Sequence, residues 1–383
     1  MKRLKILFVP GWYPSGSNPV KGVFVREHAK AVSLYDDVAV LLHEEGPTRG
    51  PRPFCIRSDG LEHGIRTVRL NISSSPLPLT TWPLHLAAML HGFNRLASTG
   101  FFPHVIHGHI FWACVVPILM GWLYRIPVVV TEHSSAFALR TLTRIGVLEA
   151  RFAMRRAKMV MPVSNALREH IEAYRIRGRF AVVPNAVDTT AFYPGEGTAE
   201  PPRPGGQRRL LTVALLTPVK GIPLLLQALR VLRERVPGVE LDIVGDGPNR
   251  SEYQRLSASL GLSHFVHFWG LRTKDEVAVF MRRADVFVLA SVTENLPCAV
   301  LEAMCCGLPI VATRVGGLPE VVTADRGRLV ISRRPDDLAG AMQEVLRSRT
   351  AYSRPEIAGY ARQTFSYEAV GRRLDNIYRS VLK

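Results

Sequence analysis

The densest chemistry in the sequence lies between Ser291 and Ala312, where two glutamates, Glu294 and Glu302, flank a proline. An apolar run ends at Leu289 and a short polar turn follows. Pro297 then stands where the first turn of a helix tolerates it. This places Glu294 just before a helix and Glu302 in its second turn. Eight helical residues would separate them by about 12 Å along the axis, too far for the two carboxyls to share one proton. They therefore serve different tasks. A carboxylate at the carboxyl end of a parallel strand lies in the crevice where doubly wound folds bind ligands. One inside the helix suits ribose hydroxyls, and the amides of the helix's amino end suit a phosphate or a sugar.

The elements that must position these groups alternate between short β-branched runs and longer amphipathic stretches, the pattern of parallel α/β units. In the first half the apolar runs are Lys5–Val9, Val38–Leu42, Val105–His107, Val128–Thr131, Met159–Val163 and Phe180–Val183, with helices expected at Val23–Leu34 and Leu142–Ala157. A stretch dense in proline and glycine follows Pro194 and reads as a linker. The alternation then restarts. Strands are expected at Leu210–Leu215, Val239–Val244, Val266–Phe268, Val286–Leu289 and Ile310–Ala312, and helices at Pro223–Val236, Arg250–Leu260, Lys274–Arg283 and Ala299–Cys306. Two Rossmann-like halves in tandem, facing each other across a cleft, is the architecture this implies.

Composition narrows the class further. The 383 residues are 47% hydrophobic and 21% charged, which excludes a disordered, collagenous or disulfide-stapled chain. The five cysteines are scattered without metal-ligand spacing, which fits a reducing compartment, and the adjacent Cys305 and Cys306 read as packing residues. The basic opening Met1–Pro10 has too short an apolar run for a signal peptide and reads as a buried first strand. Ile110–Tyr124 is uncharged but falls short of the ~20 residues that span a bilayer, and reads as a buried helix.

Net charge is +17, with 23 Lys+Arg against 11 Asp+Glu in residues 1–185. Much of the surplus surrounds Arg140, Arg144, Arg151, Arg155, Arg156 and Lys158, interleaved with Leu142, Ile145, Leu148, Phe152 and Met154. Such a helix suits an anionic membrane surface or an acidic substrate, and equally the solvated face of a Rossmann helix. Basic runs with interleaved surface aromatics, zinc spacing and a helix-turn-helix pattern are missing from the sequence, so no nucleic-acid partner is expected.

Taken whole, Ser291–Ala312 resembles the signature of the retaining, nucleotide-sugar-dependent glycosyltransferases of family four (glycosyl transferases group 1), which have the GT-B fold. Further segments resemble the family in order along the chain. Trp12-Tyr13-Pro14, with Asn18-Pro19 and Gly22, resembles the amino-terminal loop whose glycines approach donor and acceptor. Val130–Ser135 resembles the strand end that brings a histidine to the cleft, and Val183–Asp188 the approach to the hinge. Pro218–Gly221 resembles the phosphate-binding lysine turn, Ile243–Pro248 the next strand–turn, and Gly316–Glu320 the turn after the glutamate helix.

The resemblance implies roles. Lys220, a compact point charge, is expected on the donor diphosphate. Glu302 is expected on the ribose, and Glu294 on the transferred sugar, with the backbone around Asn295, Leu296 and Pro297. Gly245 is expected to line the donor site and Gly22 the donor and acceptor loop. His133 would reach the sugar from the other domain, and His109 is a further candidate. The family arginine five residues before the lysine is replaced here by Leu215. No cofactor and no metal are expected, because a helix amino terminus and basic side chains stabilise the departing diphosphate in this family.

The expected architecture is thus α/β, GT-B: residues 1–193 an acceptor-binding domain, 194–207 a linker, 208–363 a donor-binding domain, and 364–383 a helix crossing back to the first domain. The expected reaction is transfer of a hexose, with retention, from a UDP- or GDP-linked sugar to an anionic or lipid-linked glycan acceptor in surface polysaccharide or lipopolysaccharide synthesis. The expected setting is the cytoplasm, with peripheral contact at the inner face of the membrane. A GT-B sugar-nucleotide epimerase and a catalytically silent nucleotide-binding module are the alternatives.

Overall fold

A computed structural model describes residues 2–45, 53–73, 78–195, 207–348 and 351–383. Most of the expected linker, residues 196–206, lies outside the described residues. The chain divides into two compact units, Met1–Ala186 with Tyr367–Lys383, and Val187–Ser366.

The first unit is built on β1 (Lys5–Pro10), β2 (Asp37–Glu45), β3 (Phe54–Glu62), β4 (Ile65–Ile72), β5 (Val105–His109), β6 (Val128–Glu132) and β7 (Met159–Pro162). Their order in the sheet is β3-β4-β2-β1-β5-β6-β7, parallel except for the β3–β4 hairpin. Parallel strands covered on both faces read as continuous apolar runs, and Ile6 to Val9 and the whole of β6 are buried accordingly. The strand expected at Phe180–Val183 does not form. Phe180 makes an isolated bridge to Val160, and the Ala181 and Val183 amides donate to the Val160 and Pro162 carbonyls, so the segment runs beside β7 without becoming a regular strand.

The helix Tyr367–Val381 belongs to this first unit and packs on the helix Val23–Ser33. Val370, Leu374 and Tyr378 join one core with Ile6, Phe8, Val25, Ala29 and Val32. Gly371 permits the close approach, since a Cβ there would stand 2.2 Å from the Ala31 carbonyl oxygen.

The second unit carries β8 (Arg208–Val213), β9 (Val239–Val244), β10 (Val266–Gly270), β11 (Val286–Leu289), β12 (Ile310–Thr313) and β13 (Gly327–Val330). All pair in parallel, in the order β10-β9-β8-β11-β12-β13. Each sheet reverses its strand order at one place, between β1 and β5 in the first unit and between β8 and β11 in the second. Ligands bind such folds at the carboxyl ends of the strands flanking that reversal. The loops that leave β8 and β11 are therefore where a site is to be sought in the second unit.

Candidate active site

In the second unit the segment after β8 makes a single tight turn, Pro218–Lys220, that ends on Gly221. Gly221 has φ +64, and a Cβ there would lie 1.9 Å from the Ala290 carbonyl oxygen at the end of β11. Only glycine fits a left-handed conformation pressed this closely on a neighbouring backbone. The Val292 amide donates to the Val219 carbonyl at 2.7 Å, which fastens the two strand-end loops together.

The result is an ion pair between residues 74 positions apart. Lys220 Nζ donates to Glu294 Oε1 at 2.6 Å, and Ser291 Oγ donates to the same oxygen at 2.7 Å. Glu294, Asn295 and Leu296 are buried, whereas Lys220 is half-buried. A second glycine turn closes over them. Gly316 has φ +51 and would place a Cβ 1.6 Å from the Glu294 carbonyl oxygen, while the Gly317 amide donates to the Asn295 carbonyl at 2.7 Å.

The helix Cys298–Cys305 follows, with Pro297 as its amino-cap residue and no side chain capping it. Pro297 thus precedes the helix instead of lying in its first turn. The separation counted along eight helical residues does not apply, because Glu294 to Pro297 are not helical. Glu302 lies in the second turn, half-buried. Gly245 packs on the other flank of the β8 end: its φ is +130, and a Cβ there would stand 1.9 Å from the Ala214 carbonyl oxygen. Leu215, where the family has arginine, is 51% exposed. Sequence reasoning missed Ser291, since a serine in a polar turn carries no signal of its own.

In the first unit Gly22 has φ +70 and opens the helix Val23–Ser33, with room for no Cβ against the Trp12 carbonyl oxygen at 2.3 Å. Phe24 then packs its ring 4.2 Å from that of His133. His133 follows β6 and is held by its neighbour Glu132, which is fully buried. Glu132 Oε1 accepts the amides of His133 at 2.9 Å and Ser134 at 2.6 Å, and Oε2 accepts that of Phe111 at 2.9 Å. Burial pushes the Glu132 carboxyl up to about 7, against the pull of these three amides.

His133 is not isolated. His109 Nδ1 lies 3.3 Å from His133 Nε2, and His28 Nε2 lies 2.9 Å from the Pro184 carbonyl oxygen. Burial lowers all three histidines, His28 to about 4. His107 is separately engaged, bonded to the Tyr378 hydroxyl and Thr131 Oγ1, both at 2.7 Å. Glu132 and His28 gave no sign in the sequence: one reads as a strand end, the other as a polar residue on an amphipathic helix.

A lysine and a glutamate joined where a parallel sheet reverses its strand order occupy the place at which a doubly wound fold binds its ligand. Comparison with known proteins fixes the family. Residues 23–191 match the model for Glycosyltransferase Family 4, and residues 197–364 that for Glycosyl transferases group 1. A D-inositol 3-phosphate glycosyltransferase of Corynebacterium aurimucosum is 30% identical over 367 residues, 88% of this chain and 86% of that protein. The putative colanic acid biosynthesis glycosyltransferase WcaL of Escherichia coli K12 is 28% identical over 241 residues, 59% of this chain and 58% of that one. Among solved structures, Anabaena HepE in complex with UDP and glucose superimposes with a TM-score of 0.76 at 21% identity, over 99% of this chain and 100% of that chain.

The chain belongs to glycosyltransferase family four and is a glycosyltransferase. The relatives do not favour the epimerase or the silent binding module. Among the described residues no helix is long and apolar enough to cross a membrane.

Proposed function

We propose that this protein is a retaining, metal-independent hexosyltransferase, taking its sugar from a UDP-linked donor held by the second unit. The observation that carries the reading is the Lys220–Glu294–Ser291 cluster, set by glycine turns beside the uncapped amino end of the helix Cys298–Cys305. Lys220 and that helix end would neutralise the leaving diphosphate. Glu302 would accept from the ribose hydroxyls. Glu294 and the backbone of Asn295, Leu296 and Pro297 would hold the transferred sugar, with Gly245 leaving room beside the nucleotide. His133, and Gly22 through the loop it permits, are the first unit's proposed contributions at the sugar. UDP as the nucleotide is supported by the bound UDP of HepE.

In the reaction the bond from the sugar's C1 to the diphosphate oxygen breaks through an oxocarbenium-like state. The acceptor hydroxyl attacks C1 from the face the diphosphate leaves, and its proton passes to the departing phosphate oxygen. Glu294 is already committed to Lys220 and Ser291, which supports front-side attack in preference to a carboxylate nucleophile. A proton NMR assay of the glycosylated product, run with a chelator present, checks this: an α-linked donor is expected to give an α-linked product at undiminished rate. A β-linked product, or loss of turnover in chelator, would refute retention or metal independence respectively.

We also propose an anionic acceptor reached at the inner face of the cytoplasmic membrane, in surface polysaccharide or lipopolysaccharide synthesis. The acceptor class is supported by the phosphorylated inositol in the name of the Corynebacterium relative and by the colanic acid in that of WcaL. The surface is supported by a patch in which Trp122, Leu123, Ile145 and Leu148 are 54–68% exposed among Arg140, Arg144, Arg155 and Arg156. Arg156 lies over the Trp122 ring at 4.7 Å. The uncharged stretch expected to be wholly buried thus carries two exposed side chains near its end, Trp122 and Leu123. In a flotation assay the protein is expected to rise with vesicles containing phosphatidylglycerol and not with phosphatidylcholine alone. Neutralising Arg144 or Arg155 should weaken binding about fivefold each, at roughly 1 kcal/mol per basic residue. Equal flotation with both vesicles would discard the proposal.

A further inference from the structure

Three imidazoles of the first unit converge from three separate elements. One nitrogen each of His28, His109 and His133 lies within 4.8 Å of the others, and among the described residues this is the group of three or more such side chains that comes together. The three ring centroids stand 5.5, 5.6 and 6.0 Å apart, a nearly equilateral triangle.

Hydrogen bonds fix which nitrogens face inward. His28 Nε2 meets a carbonyl, which only accepts, so that nitrogen carries the hydrogen and Nδ1 presents a bare lone pair. That Nδ1 is fully buried and makes no hydrogen bond, and His109 turns its Nδ1 toward His133. His133 is oriented by the Asn185 side chain, next to the Pro184 that orients His28. An imidazole whose one nitrogen is held by a carbonyl and whose other is left bare, as in His28, has the usual outer shell of a metal ligand.

We propose that His28, His109 and His133 form a three-histidine site for a zinc-class divalent cation, distinct from the donor site in the second unit. Neutral imidazoles suit zinc, cobalt, nickel and copper, and three of them leave a fourth position open. Tetrahedral zinc at about 2.0–2.1 Å from nitrogen places its ligands about 3.3 Å apart. His109 Nδ1 and His133 Nε2 are already at 3.3 Å, so only the His28 ring has to close in. His133 keeps 9% exposure, which gives the ion an approach. A bound cation would occupy the imidazole that the proposed function places on the sugar, so zinc would act as an inhibitor of transfer and not as its cofactor.

The test is calorimetric titration of the full chain, stripped with chelator and dialysed, with Zn2+ alone, and with Co2+ followed by its visible absorption. One equivalent of Zn2+ is expected per chain. His28→Gln and His109→Gln should each weaken binding by at least about tenfold while the near-ultraviolet circular dichroism and the cooperative unfolding of the first unit stay native, which shows that the unit carrying the substitutions folds. Binding well below one equivalent, or an affinity unchanged in both variants, would overturn the site. Stoichiometric binding lost in the variants but without effect on transfer would uphold the site and remove His133 from the proposed reaction.

Discussion

Replacing Lys220 by alanine is expected to lower kcat/KM by about 10²–10³-fold, the range seen when one preorganised group facing a developing charge is removed. Nucleotide affinity should fall with it, because the ammonium is proposed to meet the diphosphate in ground state and transition state alike. The substitution also strands Glu294, a buried carboxylate that would keep its bond from Ser291 Oγ but lose the ion pair at 2.6 Å. Since the lysine is partly exposed, the stability loss should stay below the roughly 3–5 kcal/mol of a fully buried broken pair. Glu294→Gln separates the two roles. It keeps the shape and removes the charge that faces the sugar, so kcat should fall while UDP affinity is retained. Unchanged UDP affinity in Lys220→Ala would show that the lysine serves only to hold Glu294 in place.

Gly316→Ala should be the most damaging single methyl group in the second unit. Its Cβ would sit 1.6 Å from the Glu294 carbonyl oxygen, in a left-handed conformation at φ +51. The conformation alone costs on the order of 1–3 kcal/mol. The clash is with backbone, so the turn must move and carry Glu294 and Asn295 with it. Thermal unfolding should show a loss of at least about 2 kcal/mol, and kcat should fall beyond what the remaining folded fraction explains. A variant with unchanged melting temperature and rate would mean that this turn does not set the position of Glu294.

The strands that carry the site were legible because parallel strands buried on both faces lose their alternation and stand out as β-branched runs, as Lys5–Val9 and Val286–Leu289 do. The hairpin β3–β4 was not. Its outer strand holds Arg57, Ser58, Asp59 and Gly60 and buries none of its residues, so no apolar pattern marks it. Lys220, Glu294, Glu302 and Gly245 stand in motifs visible in the sequence, but the bond between Lys220 and Glu294 was not readable. It depends on β8 and β11 being neighbours, a fact of strand order and not of local sequence. The histidine cluster was hidden for a similar reason. The end of β5, the loop after β6 and the helix Val23–Ser33 each contribute one ring from segments far apart in the chain.

The second unit is proposed to hold a nucleoside diphosphate through Lys220 and Glu302, without an arginine at position 215. Calorimetric titration with UDP, GDP and ADP, in chelator, on the native chain and on Glu302→Ala tests it most directly. UDP is expected to bind in preference to the other two, and at least about tenfold more weakly in the variant through loss of charge-assisted ribose hydrogen bonds. Binding of none of the three, or UDP affinity indifferent to Glu302, would contradict it, and would mean that exposed Leu215 leaves the site without its grip on the diphosphate.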